Sequence, residues 1–354
     1  MRILLLSGYH AASHAYWCQQ LRQILPQAQW LELSLPPRHF SWRTRGSSLA
    51  FATHYRAQIE AFEPTMVVAT SMVDMAALRG FFPQYSTLPW VCYFHENQFA
   101  YPNSVERKGL VDQQLTSIYS ALSADTILFN SQFNLASFRQ GAKRLFKKLP
   151  DFSSPEMIDS LLAKAHVLPV PIASDAFRRD ESADAPPSIV WNHRWEYDKG
   201  PDRLALLVDT LVQKQFDFTL HIVGQRFRRV PDALQQLLTK YEGSRYLGQI
   251  GYMGERQDYL DLLAGATHVL STAIHDFQGL SLLEGAAAGC SVIAPARLAY
   301  PEWFAQQCHQ SSAQPSEEEA EAAIEVLMRP RENADVSCLS AVTLAPAYLE
   351  IFSL

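Results

Sequence analysis

Cysteines are few and never paired by spacing: Cys18, Cys92, Cys290, Cys308 and Cys338 contain no C-x-x-C, which argues against a disulfide framework or a zinc site. No G-x-G-x-x-G follows the first strand of either half, so an NAD-dependent oxidoreductase is excluded. No D-x-D triplet is present to hold a divalent ion, and none is expected. No apolar run is long enough to cross a membrane, and Met1–Ser7 places one arginine before five aliphatic or serine positions, too short for a signal peptide. The chain reads as cytoplasmic. Charged residues make up only 19% against 48% hydrophobic, which leaves no long disordered region and supplies apolar material for two cores in 354 residues. A net charge of -6 means that the surface as a whole does not attract nucleic acid. Two local basic patches could: Arg38, His39, Trp42, Arg43 and Arg45, and Lys143, Arg144, Lys147 and Lys148 around Phe146.

What is present is an alternation of short apolar runs and amphipathic segments, the pattern of parallel sheets covered by helices. In the first half it predicts strands at Ile3–Leu6, Trp30–Leu33, Met66–Ala69, Trp90–Phe94, Thr126–Phe129 and Val167–Pro169, with helices near Val105–Leu122 and at Ser131–Arg139, the latter capped by its serine. Pro169, Pro171 and the polar stretch Ser174–Pro187 read as an interdomain linker. After it come strands at Ser188–Trp191, Phe218–Val223, Leu247–Gly251, His268–Ser271 and Val292–Ala294, and helices at Pro201–Gln213, Asp232–Tyr241, Gln257–Ala264, Leu280–Ala288 and Glu317–Met328. The expected organisation is a Rossmann-like acceptor domain at 1–172, a Rossmann-like donor domain at 186–335 and a C-terminal segment, 336–354, that packs back onto the protein.

Paired open α/β sheets bind ligands beyond the carboxyl ends of their strands, in a cleft between the two domains. Polar residues recur at those ends. After Ser188–Trp191 comes His193-Arg194-Trp195-Glu196-Tyr197-Asp198-Lys199-Gly200, where Arg194 can fork onto phosphate oxygens and Lys199 adds a point charge, as a nucleoside diphosphate requires. The bland reading is a solvated loop paired with Glu196 and Asp198. After His268–Ser271 comes Ala273-Ile274-His275-Asp276-Phe277-Gln278-Gly279-Leu280, whose amides at the helix start can point at a diphosphate, with Asp276 and Glu284 as acceptors for sugar and ribose. Alternatively Asp276 caps the helix and Glu284 is solvated.

In the first half, Trp90–Phe94 ends in His95-Glu96-Asn97-Gln98, where His95 can hydrogen-bond a sugar hydroxyl near the reacting carbon or be a structural histidine. Asn130-Ser131 and Ser7-Gly8-Tyr9-His10, with His14 beyond, end two other strands. Together they suit an acceptor half-site.

These residues resemble the retaining glycosyltransferases of the GT-B fold, in the large family that also holds sucrose and glycogen synthases. Asp276 to Glu284 has the spacing of that family's E-x7-E motif, with aspartate in first place, and Arg194 and Lys199 match its diphosphate-binding pair. A closer resemblance covers nearly the whole chain. The segments Phe40-Ser41-Trp42-Arg43-Thr44-Arg45, Tyr93-Phe94-His95-Glu96-Asn97-Gln98, Phe129-Asn130-Ser131-Gln132-Phe133-Asn134, His193-Arg194-Trp195-Glu196-Tyr197-Asp198-Lys199 and Tyr300-Pro301-Glu302 look like the tRNA-queuosine α-mannosyltransferases and their bacterial relatives. The resemblance implies transfer of mannose from GDP-mannose, with retention and without a metal cofactor, to queuosine in the anticodon of aspartate tRNA. Ala11-Ala12 replace glycines in the first loop, and Asp276 replaces a glutamate.

The implied roles follow. His95 and Asp276 are the candidate catalytic groups; His193, Arg194, Lys199, Phe277, Gln278, Gly279, Leu280 and Glu284 bind the nucleotide-sugar; Gly8, His14, Trp42, Arg43, Arg45, Glu96, Asn97 and Asn130 bind the acceptor. Trp42 between basic residues is a platform on which an unstacked anticodon base could lie, or else a core residue of the first domain. Other readings are a transferase of the same fold acting on a lipid, glycan or small molecule, and a non-catalytic nucleotide-sugar or RNA-binding protein.

Overall fold

The computed structural model describes residues 1–100, 109–178, 186–227 and 229–352. The chain forms two compact units, Met1–Pro171 together with Leu344–Leu354, and Ile172–Thr343. The expected C-terminal segment is thus shared between the two. In the first unit the buried Tyr348 accepts a hydrogen bond from Trp17 Nε1 (3.2 Å) and donates one to the Pro169 carbonyl (2.9 Å).

The first unit holds strands β1 (Arg2–Ser7), β2 (Gln29–Ser34), β3 (Met66–Thr70), β4 (Trp90–Phe94), β5 (Thr126–Phe129) and β6 (Ala165–Val167) in the order β2-β1-β3-β4-β5-β6. All pairs are parallel. β3 and β4 are buried at every position, the burial a sheet with helices on both faces imposes, and their sequences are accordingly apolar runs. The last strand lies two residues earlier than the apolar run predicts. Leu168 N still bonds to Phe129 O (2.8 Å), but Pro169 and Pro171 have no N–H and the ladder stops. The helix Gln132–Phe146 begins as predicted, with Ser131 Oγ accepting from Asn134 N (3.0 Å), and continues well beyond Arg139. The helix predicted near Val105–Leu122 is Leu110–Ser123; residues 105–108 lie outside the described set.

The second unit holds β7 (Ser188–Asn192), β8 (Thr219–Val223), β9 (Leu247–Gly251), β10 (His268–Leu270), β11 (Ser291–Pro295) and β12 (Cys308–His309), ordered β12-β11-β10-β7-β8-β9 and again parallel. β12 was not predicted. Two residues are too short a run to show any period.

In both sheets the order of strand addition reverses beside the opening strand, between β1 and β3 and between β7 and β10. Loops diverge from the sheet there, which makes those points the natural ligand sites of open α/β sheets. At each, a glycine lets the two loops touch. A Cβ at Gly8, after β1, would fall 2.5 Å from the Met72 carbonyl oxygen, after β3; one at Gly200, after β7, would fall 2.1 Å from the Thr272 carbonyl oxygen, after β10. Gly200 also sits at φ +65°, which side chains seldom adopt.

Candidate active site

In the second unit the loop after β7 passes through a short turn, Tyr197–Lys199, and Gly200 into the helix Pro201–Gln213. The loop after β10 passes through Gly279, at φ +80°, into the helix Leu280–Ala287. The two loops are tied together. Ile274 N bonds to Asp198 O (2.9 Å), Thr272 Oγ1 to Lys199 O (2.8 Å), and Lys199 Nζ to the His275 carbonyl (2.7 Å). Lys199 is buried, with Nζ 3.5 Å from Asp198 Oδ2 and 3.7 Å from Asp276 Oδ2. Burial alone raises both carboxyl groups, but Lys199, with His193 at Asp276 and His275 and Arg194 at Asp198, outweighs it and holds both below the usual carboxylate range.

Asp276 accepts from the amides of Gly279 (3.0 Å) and Gln278 (3.4 Å) and from Tyr300 OH (3.3 Å). It therefore fixes the turn as well as facing Lys199. Because the first bond of the following helix runs from Leu283 N to Gly279 O, the amides of Leu280, Ser281 and Leu282 stay outside the helical ladder, with the positive end of the helix dipole behind them. Phe277 and Gln278 are buried beside them, Phe277 edge-on to His275. His193 bridges the two loops through Ser271 Oγ (3.0 Å from Nε2) and Ser281 Oγ (3.4 Å from Nδ1). Arg194 is half-exposed and lies against Glu196 (2.6 Å), with Asp198 at 3.9 Å. Glu284 is neither solvated nor open: Arg256 (3.0 Å) and Tyr259 OH (3.1 Å) bind it, and Arg256 also forks onto Asp175.

In the first unit His95 and His14 stack at 4.1 Å, with Trp17 edge-on to His95. Both rings are buried, and His95 Nε2 and His14 Nδ1 meet no hydrogen-bond partner among the described residues. Burial, then His14 and His10, push the His95 pKa well below the ordinary imidazole value, so the ring is neutral. Glu96 lies 3.7 Å from His14 Nε2.

Asn97 and Asn130, expected at the acceptor site, bond within the first unit. Asn97 Nδ2 bonds to Asn134 Oδ1 (2.8 Å) and Ser137 Oγ (2.8 Å), its Oδ1 accepts from Phe99 N (2.9 Å), and it is fully buried. Asn130 Nδ2 bonds to the His95 carbonyl (2.9 Å) and its Oδ1 accepts from Asn134 Nδ2 (2.8 Å). Both amides are engaged at nitrogen and oxygen, and they tie the His95 loop to the start of the following helix. Arg45 is likewise committed, to Asp74 and Asp112 (2.8 Å each). Trp42 is 56% exposed and packs against Gly46, so the core reading of this indole fails. Arg43 is half-buried beside it in sequence, with Nε unpartnered among the described residues. His10, Cys18 and Glu32 place potential metal-ligand atoms within 4.8 Å of one another; Glu32 is also bound by Arg22, whose charge opposes a cation there.

A family model for the N-terminal part of tRNA-queuosine alpha-mannosyltransferase matches residues 2–172, and one for glycosyl transferases group 1 matches residues 186–329. The tRNA-queuosine alpha-mannosyltransferase of Drosophila melanogaster is 32% identical over 371 residues, spanning 99% of this chain and 96% of that protein. The chain belongs to the tRNA-queuosine alpha-mannosyltransferase family. As a member of that family it is a glycosyltransferase, as the resemblance of its motifs implies. Its fold is GT-B. Sucrose-phosphate synthase from Thermosynechococcus elongatus superposes with TM-score 0.74 at 13% identity, over 99% of this chain and 98% of that one. The Anabaena protein HepE, in complex with UDP and glucose, superposes with TM-score 0.70 at 14% identity, over 100% of this chain and 99% of that one.

Four further groups of this family member escaped the sequence reading as site residues. Tyr300 and Ser271 link Asp276 to His193, with Ser271 Oγ 2.8 Å from Tyr300 OH. Arg256 and Tyr259 occupy Glu284. Tyr300 had a signal in its Tyr-Pro-Glu segment; Arg256 and Tyr259 sit in an ordinary amphipathic helix and had none. Among the described residues no helix is long and apolar enough to cross a membrane.

Buried histidines of the second unit set an acid limit on stability. Burial lowers His193 to about 3 and His268 to about 4, so both are neutral at pH 7, whereas an unfolded imidazole titrates near 6.5. Below that value the unfolded chain binds protons that the native chain refuses. Each histidine then removes up to about 1.4 kcal/mol per pH unit, until its own native pKa is reached. The depressed Asp198 carboxyl acts in the same direction below its ordinary value of 3.8. Urea midpoints measured from pH 8 to 4 are expected to hold steady to about 6.5 and then fall; a flat profile contradicts neutral, buried imidazoles.

Proposed function

We propose that this chain transfers mannose from GDP-mannose to queuosine of tRNA(Asp), with retention at the sugar and without a divalent ion. The observation that carries the reading is the knot of Lys199, Asp276 and the free amides at the start of the helix Leu280–Ala287, at the switch point of the second sheet. A nucleoside diphosphate leaving group needs positive charge where the phosphate oxygens develop negative charge. Lys199, Arg194 and the amides of Leu280, Ser281 and Leu282 supply it, Arg194 exchanging Glu196 for phosphate.

Asp276, held ionised, takes hydrogen bonds from the sugar hydroxyls, and Glu284 takes one from the ribose by exchanging Arg256 or Tyr259. His95, held neutral, shares a hydrogen bond with a hydroxyl near the reacting carbon. The departing phosphate oxygen takes the proton of the acceptor hydroxyl, so that the new glycosidic bond forms on the face the diphosphate leaves. Trp42 offers an exposed indole for stacking an anticodon base. The relative from Drosophila melanogaster, whose name states this reaction class, supports the acceptor and the sugar.

The deciding experiment incubates the protein with GDP-mannose and queuosine-containing tRNA and weighs the released nucleosides. Queuosine is expected to gain one hexose. Unchanged queuosine, with donor consumed only when a lipid or glycan is added, rejects the acceptor assignment.

A further inference from the structure

The helix Gln132–Phe146 starts beside the His95 loop, where Asn134 binds Asn97 and Asn130, and its 15 residues carry it about 22 Å away, back toward the amino ends of the strands. At that far end lies the second basic patch. From residue 139 to 164 the sequence has six lysines and arginines against three carboxylates, in a chain of net charge -6. Asp159 takes Lys143 (2.6 Å) and Arg139 (3.8 Å). Arg144, Lys147 and Lys148 are exposed and have no ion-pair partner among the described residues. A helix C-terminus favours a cation in its last turn, which accounts for one such charge and not for three.

Phe152 stands beyond them in sequence, 96% exposed and at φ +49°. Ser153 Oγ bonds back to the carbonyls of Phe146 (3.1 Å) and Leu149 (3.5 Å), holding that turn to the helix end. A bulky side chain at positive φ with its ring in water gains nothing from folding. Cations interleaved with an exposed aromatic are the means by which proteins grip RNA: ion pairs to phosphates, and a ring on which a base or sugar can rest.

We propose that Arg144, Lys147, Lys148 and Phe152 form a docking surface for the phosphate backbone of the acceptor RNA, engaging its stem while the loop reaches the His95 end of the same helix. This rests on the tRNA reading above and adds to it a second contact about one helix length from the chemistry. Such a contact lets the enzyme bind a whole tRNA more tightly than an isolated loop.

The test measures tRNA binding by the full chain across a salt series, for wild type, for Arg144→Glu/Lys147→Glu/Lys148→Glu and for Phe152→Ala, with melting temperatures to confirm folding. The triple variant is expected to raise the Kd at least tenfold at low salt and to flatten the log–log salt dependence by roughly 2–3, near the 0.7–0.9 expected per phosphate contact. Phe152→Ala is expected to raise the Kd several-fold without changing the slope. Wild-type affinity and slope in the folded triple variant overturn the proposal, as does failure of the wild type to bind tRNA. Patch-dependent binding without any transfer of mannose keeps the docking surface and rejects the proposed reaction instead.

Discussion

Lys199→Ala is expected to lower transfer from the nucleotide-sugar by about 10²–10³-fold in kcat, the usual effect of removing one charge-stabilising donor from a preorganised site. The expectation comes from what Lys199 faces. Its ammonium is buried, donates to the His275 carbonyl and lies within 4 Å of two carboxylates, Asp198 and Asp276. The amides of Leu280, Ser281 and Leu282, outside the ladder of the following helix, are further donors on the loop that Lys199 bonds. Removing the lysine leaves two neighbouring acidic groups without their counter-charge and, under the proposed reaction, withdraws a cation from the leaving diphosphate.

Stability falls as well, so activity must be scored per folded molecule, with near-ultraviolet circular dichroism as the check. Lys199→Arg keeps the charge in a space fitted to a narrower side chain and is expected to recover part of the loss. The KM for tRNA is expected to change less than kcat. Turnover near wild type in folded Lys199→Ala would remove the lysine from the handling of the diphosphate.

The second large effect is structural. Glu319, on the helix Glu317–Leu327, is buried between two arginines: Arg203, on the helix Pro201–Gln213, and Arg297 (2.6 Å), after β11. Arg297 also donates to the Ala273 carbonyl (3.0 Å) in the loop that carries Asp276. Glu319→Ala leaves the buried Arg203 and the half-buried Arg297 without the carboxylate they share and is expected to cost about 3–5 kcal/mol. Urea unfolding of the full chain should show it as an early transition of the second unit. Glu319→Gln, which keeps an acceptor of the same shape, should cost less. A loss under about 1 kcal/mol for the alanine variant would mean that the carbonyls to which both arginines also donate suffice without the carboxylate.

The sheets were legible because their strands are buried on both faces and so read as unbroken apolar runs; β3 and β4 coincide with the predicted runs nearly residue for residue. Where chemistry other than hydrophobicity decides, the reading slipped. β6 moved because prolines end its pairing, and β12 hides in two residues. That the loops after β7 and β10 would meet was legible because cations and a glycine follow strands that the topology makes neighbours. That Asn97 and Asn130 turn inward was not, because an asparagine bound to a ligand and one bound to a neighbouring loop look alike in sequence. Glu284 teaches the same lesson: its partners, Arg256 and Tyr259, lie more than twenty positions away.

Tyr348 seats its ring in the first unit, bonded to Trp17 and to the Pro169 carbonyl, although all of the second unit is encoded before it. During synthesis, therefore, the amino-terminal half emerges from the ribosome with a vacancy in its core that is filled only by residues translated after the second unit. Its maturation waits for the rest of the chain, and a premature stop codon after residue 343 would injure the half that was made first.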